Sequence, residues 1–168
     1  MEKNRLIYVF LIVIFLILLL LVIRLFSEKQ LDDVSPGIPC DEELLNKADA
    51  YYIIPKFQNK SIAENKEWCS YILSKNKSLR MHGIYHIYNE FYGNVSEEDF
   101  REALEIFKEC FGEYPKRFKA PQEAISWSNR KLIKKFGLNL DHYANAITHK
   151  IYHCNDSGVF SNRFIDFF

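Results

Sequence analysis

Short β-rich runs that alternate with amphipathic helices, behind one long apolar stretch, predict an α/β protein: a trimmed or irregular (β/α) barrel following a single N-terminal transmembrane helix. Three observations carry this expectation. Residues 6–23 are all apolar, 18 in a row, at the lower end of what crosses a hydrocarbon core of about 30 Å as a helix. Strand-like and helix-like segments then follow one another at intervals suited to βα units. A closed eight-unit barrel takes about 200 residues or more, so the rest of this 168-residue chain makes a partial barrel.

The apolar stretch reads as an uncleaved signal anchor. A secretory signal has a shorter apolar region of roughly 7–15 residues and a small-x-small cleavage site, whereas the exit here is "IRLFSEKQ". Lys3 and Arg5 in front favour an inside amino terminus, although Arg24 and Lys29 behind reduce the bias. The expected organisation is an anchor over residues 1–26 and a domain over residues 27–168, on the far side of the membrane from the cytoplasm.

After the anchor, "FSEKQLDDVSPGIPCDEELL" is polar with two prolines and reads as a loop leading to a helix near Asp41. Tyr51–Ile54 is a short buried strand stopped by Pro55. "SIAENKEWCSYILSKN" sets Ile62, Trp68, Tyr71, Ile72 and Leu73 roughly on one helical face, and "SLRMHG" is a strand broken at Gly83. "SEEDFREALEIFKECFG" is the clearest helix, with Ser96 as N-cap, acidic residues in the first turn, Gly112 as the stop, and Phe100, Leu104, Phe107 and Phe111 as its apolar face. "KRFKAPQ" reads as a strand ending at Pro121, "SWSNRKLIKKFG" as a helix, and "NAITHKIYHC" as the last strand region.

Charge and cysteines narrow the function. With 22 basic and 22 acidic residues and no basic run, the chain lacks the footprint of a nucleic-acid binder. Cys40, Cys69, Cys110 and Cys154 form no CxxC; in an oxidising compartment they make two disulfides, by any of three connectivities. Asn59, Asn76, Asn94 and Asn155 each open an N-x-S sequon, usable only outside the cytosol. Trp68 and Trp127 read as core residues, since aromatic burial is a large folding contribution.

The chemistry-bearing residues lie in "LDDVSPG", "MHGIYH" and "FKAPQ". His82 and His86 are four apart, so on a helical turn they share a face, with Gly83 bending the chain away from its strand. Asp32 and Asp33 are adjacent carboxylates whose side chains cannot both point one way along a strand. Three protein ligands and a water are the usual catalytic zinc arrangement, and two histidines and a carboxylate meet it. The rival reading is a solvated turn and two incidental histidines.

In this order the three motifs resemble those of the polysaccharide deacetylases of the NodB-homology type, and in particular divergent membrane-anchored ones, over about residues 30 to 160. The resemblance implies a metal-dependent hydrolase removing N-acetyl groups from cell-surface carbohydrate, with N-acetylated polysaccharide as partner and a divalent ion, zinc first, as cofactor. It further implies Asp32 as catalytic base, Asp33, His82 and His86 as metal ligands, and Lys119 and Pro121 as the substrate-side motif. Lys119 stands where the family has arginine. A late histidine should serve as general acid, and His149 and His153 in "HKIYH" are the candidates. That pair reads equally as part of a four-histidine metal site, or as a strand with two exposed histidines. An inactive glycan-binding relative and an anchored interaction protein are the alternative functions.

Overall fold

The computed structural model describes residues 2–167. Helix α1 (Glu2–Phe26) leads within three residues into strand β1 (Lys29–Val34). Then follow α2 (Glu42–Lys47), β2 (Ala50–Ile53), α3 (Lys66–Ser74), β3 (Ser78–His82), α4 (Glu97–Phe111), β4 (Arg117–Lys119), α5 (Trp127–Lys135), β5 (Asn139–Asp141), α6 (Tyr143–Thr148), β6 (Lys150–His153) and α7 (Asn162–Phe167). The strands form one sheet in the order β5-β4-β3-β2-β1-β6. Every pairing is parallel. Five strands run in sequence order and the last returns to the far side of β1, which leaves β5 and β6 as the edges of a half-barrel with helices around it.

Parallel strands bury both faces, and here the outward face is apolar. Leu31, Tyr51, Ile53, Met81, Phe118 and Tyr152 join the buried core with Cys69 and Ile72 of α3 and Phe100, Ala103, Leu104 and Phe107 of α4. The Phe91 and Phe118 rings lie 4.7 Å apart and Phe100 meets Phe118 at 5.7 Å, distances at which edge and offset ring contacts add to area burial. The Ser96 hydroxyl caps α4 by accepting from the Asp99 N–H at 3.0 Å, and Gly112 ends the helix. Of the three disulfide connectivities, the structure has Cys69–Cys110, joining α3 to α4, and Cys40–Cys154, joining the segment after β1 to the end of β6.

Two local expectations change, and one strand is added. Residues 29–34 are a strand rather than a loop: four of the six residues of "KQLDDV" are polar, and two of them, Gln30 and Asp32, face the half-barrel interior, where both are buried. Residues 143–148 are helical, so the last strand is only Lys150–His153. Strand β5 is three residues long, too short for an alternation to register.

The long helix contains a 22-residue span, Arg5–Phe26, whose most apolar 18 residues have a mean hydropathy of 3.7, long and apolar enough to cross a membrane. Arg24 at its end donates to the carbonyls of Ala146, Ile147 and His149 (3.4, 3.5 and 2.5 Å), tying α1 to the carboxyl end of α6. The helix therefore enters at the amino-terminal end of β1, whose Lys29 pairs with Lys150 at the start of β6.

Candidate metal centre

The opposite, carboxyl-terminal end of the strands gathers the titratable residues. Between Leu31, opposite Tyr51, and Val34, opposite Ile53, β1 has one residue more than β2. This bulge, with Asp33 in the left-handed region (φ 64°), turns both carboxylates inward despite their adjacency, as bulges beside functional sites commonly do. Asp33 Oδ1 lies 2.9 Å from His86 Nε2 and 3.5 Å from His82 Nε2. Among the described residues these three offer ligand atoms all within 4.8 Å of one another.

The two histidines converge through a loop and not through a helical turn. His82 ends β3, and Gly83 (φ +67°) turns the chain where a Cβ would come 2.6 Å from both Glu90 Oε2 and Pro121 Cγ. The Glu90 carboxylate then accepts from the N–H groups of Ile84, Tyr85 and His86 (3.0, 2.9 and 3.1 Å), stabilising His86 at φ 61°. Burial raises the Glu90 carboxyl above its ordinary range in spite of those donors. His82 Nδ1 is 3.1 Å from the Lys119 carbonyl oxygen. A carbonyl only accepts, so Nδ1 carries a proton, and Nε2, which faces Asp33, is the nitrogen left to ligate an ion. This is the arrangement by which an outer partner orients a metal-binding histidine.

The residues fit a divalent ion. Asp33 Oδ1 is buried, and the groups aimed at it are His86 Nε2 at 2.9 Å and His82 Nε2 at 3.5 Å. A buried carboxylate is costly unless positive charge completes it, and a divalent ion between these three groups would supply that charge. Two imidazoles and a carboxylate suit zinc and other first-row divalent ions.

Asp32 occupies the neighbouring position. Lys119 Nζ donates to its two oxygens at 2.8 and 3.1 Å and to Gln30 Oε1 at 2.8 Å, while lying 3.8 Å from the centre of the Tyr52 ring. His153 Nε2 is 3.8 Å and His82 Nε2 3.9 Å from Asp32 Oδ2. Burial alone would raise the Asp32 carboxyl; Lys119, His82 and His153 outweigh it and hold the group below the ordinary carboxylate range.

The late histidines separate. His153 is brought to Asp32, with its other ring nitrogen buried and unpartnered. His149 is not brought to the cluster. It precedes β6 at the far end, where Nδ1 contacts the Thr148 hydroxyl (2.8 Å) and burial lowers its pKa. A four-histidine site is therefore not assembled. Lys119 and Pro121 are buried: the lysine is spent on Asp32, and the proline ring fills the space beside Gly83. Trp68 packs against the core, but Trp127 is 72% exposed. Sequence reasoning passed over Gln30, Tyr52 and Ser157, whose hydroxyl donates to Asp33 Oδ2 at 2.7 Å. Their partners lie far along the chain, so no local pattern marks them.

No protein-family model and no curated protein sequence matches the chain. Solved structures do. A peptidoglycan N-acetylglucosamine deacetylase superposes with TM-score 0.55 at 15% identity, over 75% of this chain and 70% of that one. A polysaccharide deacetylase from Bacillus cereus gives 0.53 at 13% identity, over 76% and 78%. The chain spans 32% of a CE4 family pseudoenzyme from Bacillus anthracis, matched at 12% identity over 55% of this chain with TM-score 0.45. Half-barrel, strand order and the first two superpositions together give this chain the fold of those two deacetylases.

Proposed function

We propose that residues 27–168 form a metal-dependent deacetylase-like domain that removes N-acetyl groups from cell-surface carbohydrate. The observation that carries this reading is the convergence of Asp33 Oδ1 and two histidine nitrogens, all within 4.8 Å of one another, beside a second carboxylate with its own histidine. A divalent ion held by Asp33, His82 and His86, zinc first, would polarise an amide carbonyl and lower the pKa of water. Asp32, kept ionised, would accept a proton from the attacking water, and His153 would give one to the leaving amine. Lys119 keeps Asp32 anionic at neutral pH, at the cost of basicity.

Residues 1–26 act as the anchor in this reading, with the domain outside the cytoplasm. Two disulfides favour an oxidising compartment. The four sequon asparagines are all exposed. The candidate site lies at the strand ends opposite those at which α1 enters, so in this reading it would face away from the bilayer.

One observation favours a second reading, an inactive relative that binds glycan. Both oxygens of Asp32 already lie on the Lys119 ammonium, which obstructs its use as a base. Metal content of the full chain in detergent, by elemental mass spectrometry, is the test. About one divalent ion per chain, lost in His82→Ala, with acetate released from N-acetylglucosamine oligomers, supports the deacetylase. Metal without acetate release transfers the assignment to the second reading. A folded wild-type protein without metal rejects the metal centre.

A further inference from the structure

We propose that Ser157 is a positioning residue for the metal centre: its hydroxyl holds Asp33 by one oxygen so that the other is presented to His82 and His86. The inference rests on the metal-centre reading above. Ser157 Oγ donates to Asp33 Oδ2 at 2.7 Å, whereas Oδ1 faces both imidazoles, at 2.9 and 3.5 Å. A carboxylate on a flexible χ2 torsion otherwise rotates freely between one-oxygen and two-oxygen ligation. One donor fixed on one oxygen selects the former.

The hydroxyl is itself held in place. It follows the turn Cys154–Asp156, in which Asn155 and Asp156 are left-handed (φ 59° and 52°). The Cys40–Cys154 disulfide ties that turn to the segment leaving β1. Asn162 clasps its start, accepting from the His153 N–H at 2.9 Å and donating to the His153 carbonyl at 2.8 Å. A weaker contact from Ser157 Oγ to the Cys154 carbonyl (3.4 Å) closes it. Gly158 lies flat on His153, where a Cβ would come 2.2 Å from Nδ1. One covalently stapled loop thus sets both the Asp33 rotamer and the His153 ring, two groups that β1 and β6 alone leave free to turn.

Outer partners of metal ligands are worth about 10–100-fold in metal affinity. The test is competition titration of Zn2+ and the visible spectrum of the Co2+ form, on unglycosylated full chain in detergent, because Ser157 completes the Asn155 sequon. Ser157→Ala should weaken binding about tenfold or more and change the Co2+ bands, while Ser157→Thr, which keeps the hydroxyl, restores both. The thermal midpoint of the metal-free Ser157→Ala protein should match wild type. Equal affinity in Ser157→Ala and an ion-binding wild type overturns the positioning role alone. A weakened affinity that Thr does not rescue, accompanied by a lowered metal-free midpoint, reduces Ser157 to a loop-stability residue and also overturns it. A wild type that takes no ion overturns the metal centre itself, and the inference with it.

Discussion

The two faces of the sheet are equally dry and built from opposite chemistries. On the outward face Leu31, Ile53, Met81 and Phe118 meet the apolar sides of α3 and α4. On the inward face Gln30, Asp32, Arg80, His82, Lys119 and Asp141 are buried to a similar degree. The outward face is held by area, at about 25 cal/mol per Å² of apolar surface. The inward face is held by pairing: Lys119 bonds Gln30 and Asp32, the Tyr52 hydroxyl donates to Asp141 at 2.6 Å, and Arg80 donates to that hydroxyl at 3.0 Å and to Glu28. Buried ion pairs stabilise no better than well-packed apolar residues and often less. The inward network is therefore explained by what it positions, namely Asp32 and the groups around it.

Phe118 and Lys119, neighbours in β4 on opposite faces, offer the sharpest way to break this contrast. Phe118→Ala should cost about 3–5 kcal/mol of stability through transfer and cavity effects, and leave the metal affinity of the folded fraction unchanged. Lys119→Ala should cost a similar amount, about 3–5 kcal/mol, by stranding a buried carboxylate. Chemical denaturation with metal titration separates the two. A Lys119→Ala protein as stable as wild type would mean that Asp32 is not ionised in the native state.

The inward face should also divide the two late histidines. If His153 supplies a proton to the leaving amine, His153→Ala lowers kcat on the order of 10²-fold, the lower range for a general acid. His149→Ala, at the other end of β6, should leave kcat within a factor of about two. Equal losses in a steady-state acetate assay would contradict the division.

This contrast also governs what was legible in the sequence. Helix α4 announces itself because cap, stop and the Phe100–Leu104–Phe107–Phe111 stripe lie in one continuous segment facing an apolar core. Strand β1 does not: its inward positions are polar, which erased the hydrophobic run expected of a buried parallel strand. At the candidate site, Asp33, His82 and His86 were findable from spacing and motif order. The loop geometry that joins them depends on Glu90 reaching back to three backbone N–H groups, which no helical periodicity describes. Ser157 and Asp33 are 124 residues apart, so only the fold brings them together. His149 and His153 looked equivalent because residues four apart share a face of a strand; β6 begins only after His149, and the equivalence fails there.

The smallest effect tests whether the inward pairing has any net worth away from Asp32. Asp141 accepts from Arg117 (Nε at 3.0 and 3.1 Å), from the Tyr52 hydroxyl and from Asn145 Nδ2 at 3.0 Å. Burial would raise its carboxyl, but Arg117 and Tyr52 outweigh it and the group sits below the ordinary carboxylate range. A folded pKa below the unfolded one stabilises the native state above the unfolded value of about 3.9, and the gain is lost as pH falls through the folded value. The Arg117 side chain is 40% exposed, so solvent screening discounts the pair and about 1–2 kcal/mol is expected at neutral pH. Asp141→Asn should then be less stable than wild type by that amount at pH 7, with the gap closing as pH drops below about 4. Urea denaturation at a series of pH values reads the gap directly. A gap that stays constant with pH would assign the loss to hydrogen-bond geometry, and the inward face would then owe its stability to shape in the same way as the outward one.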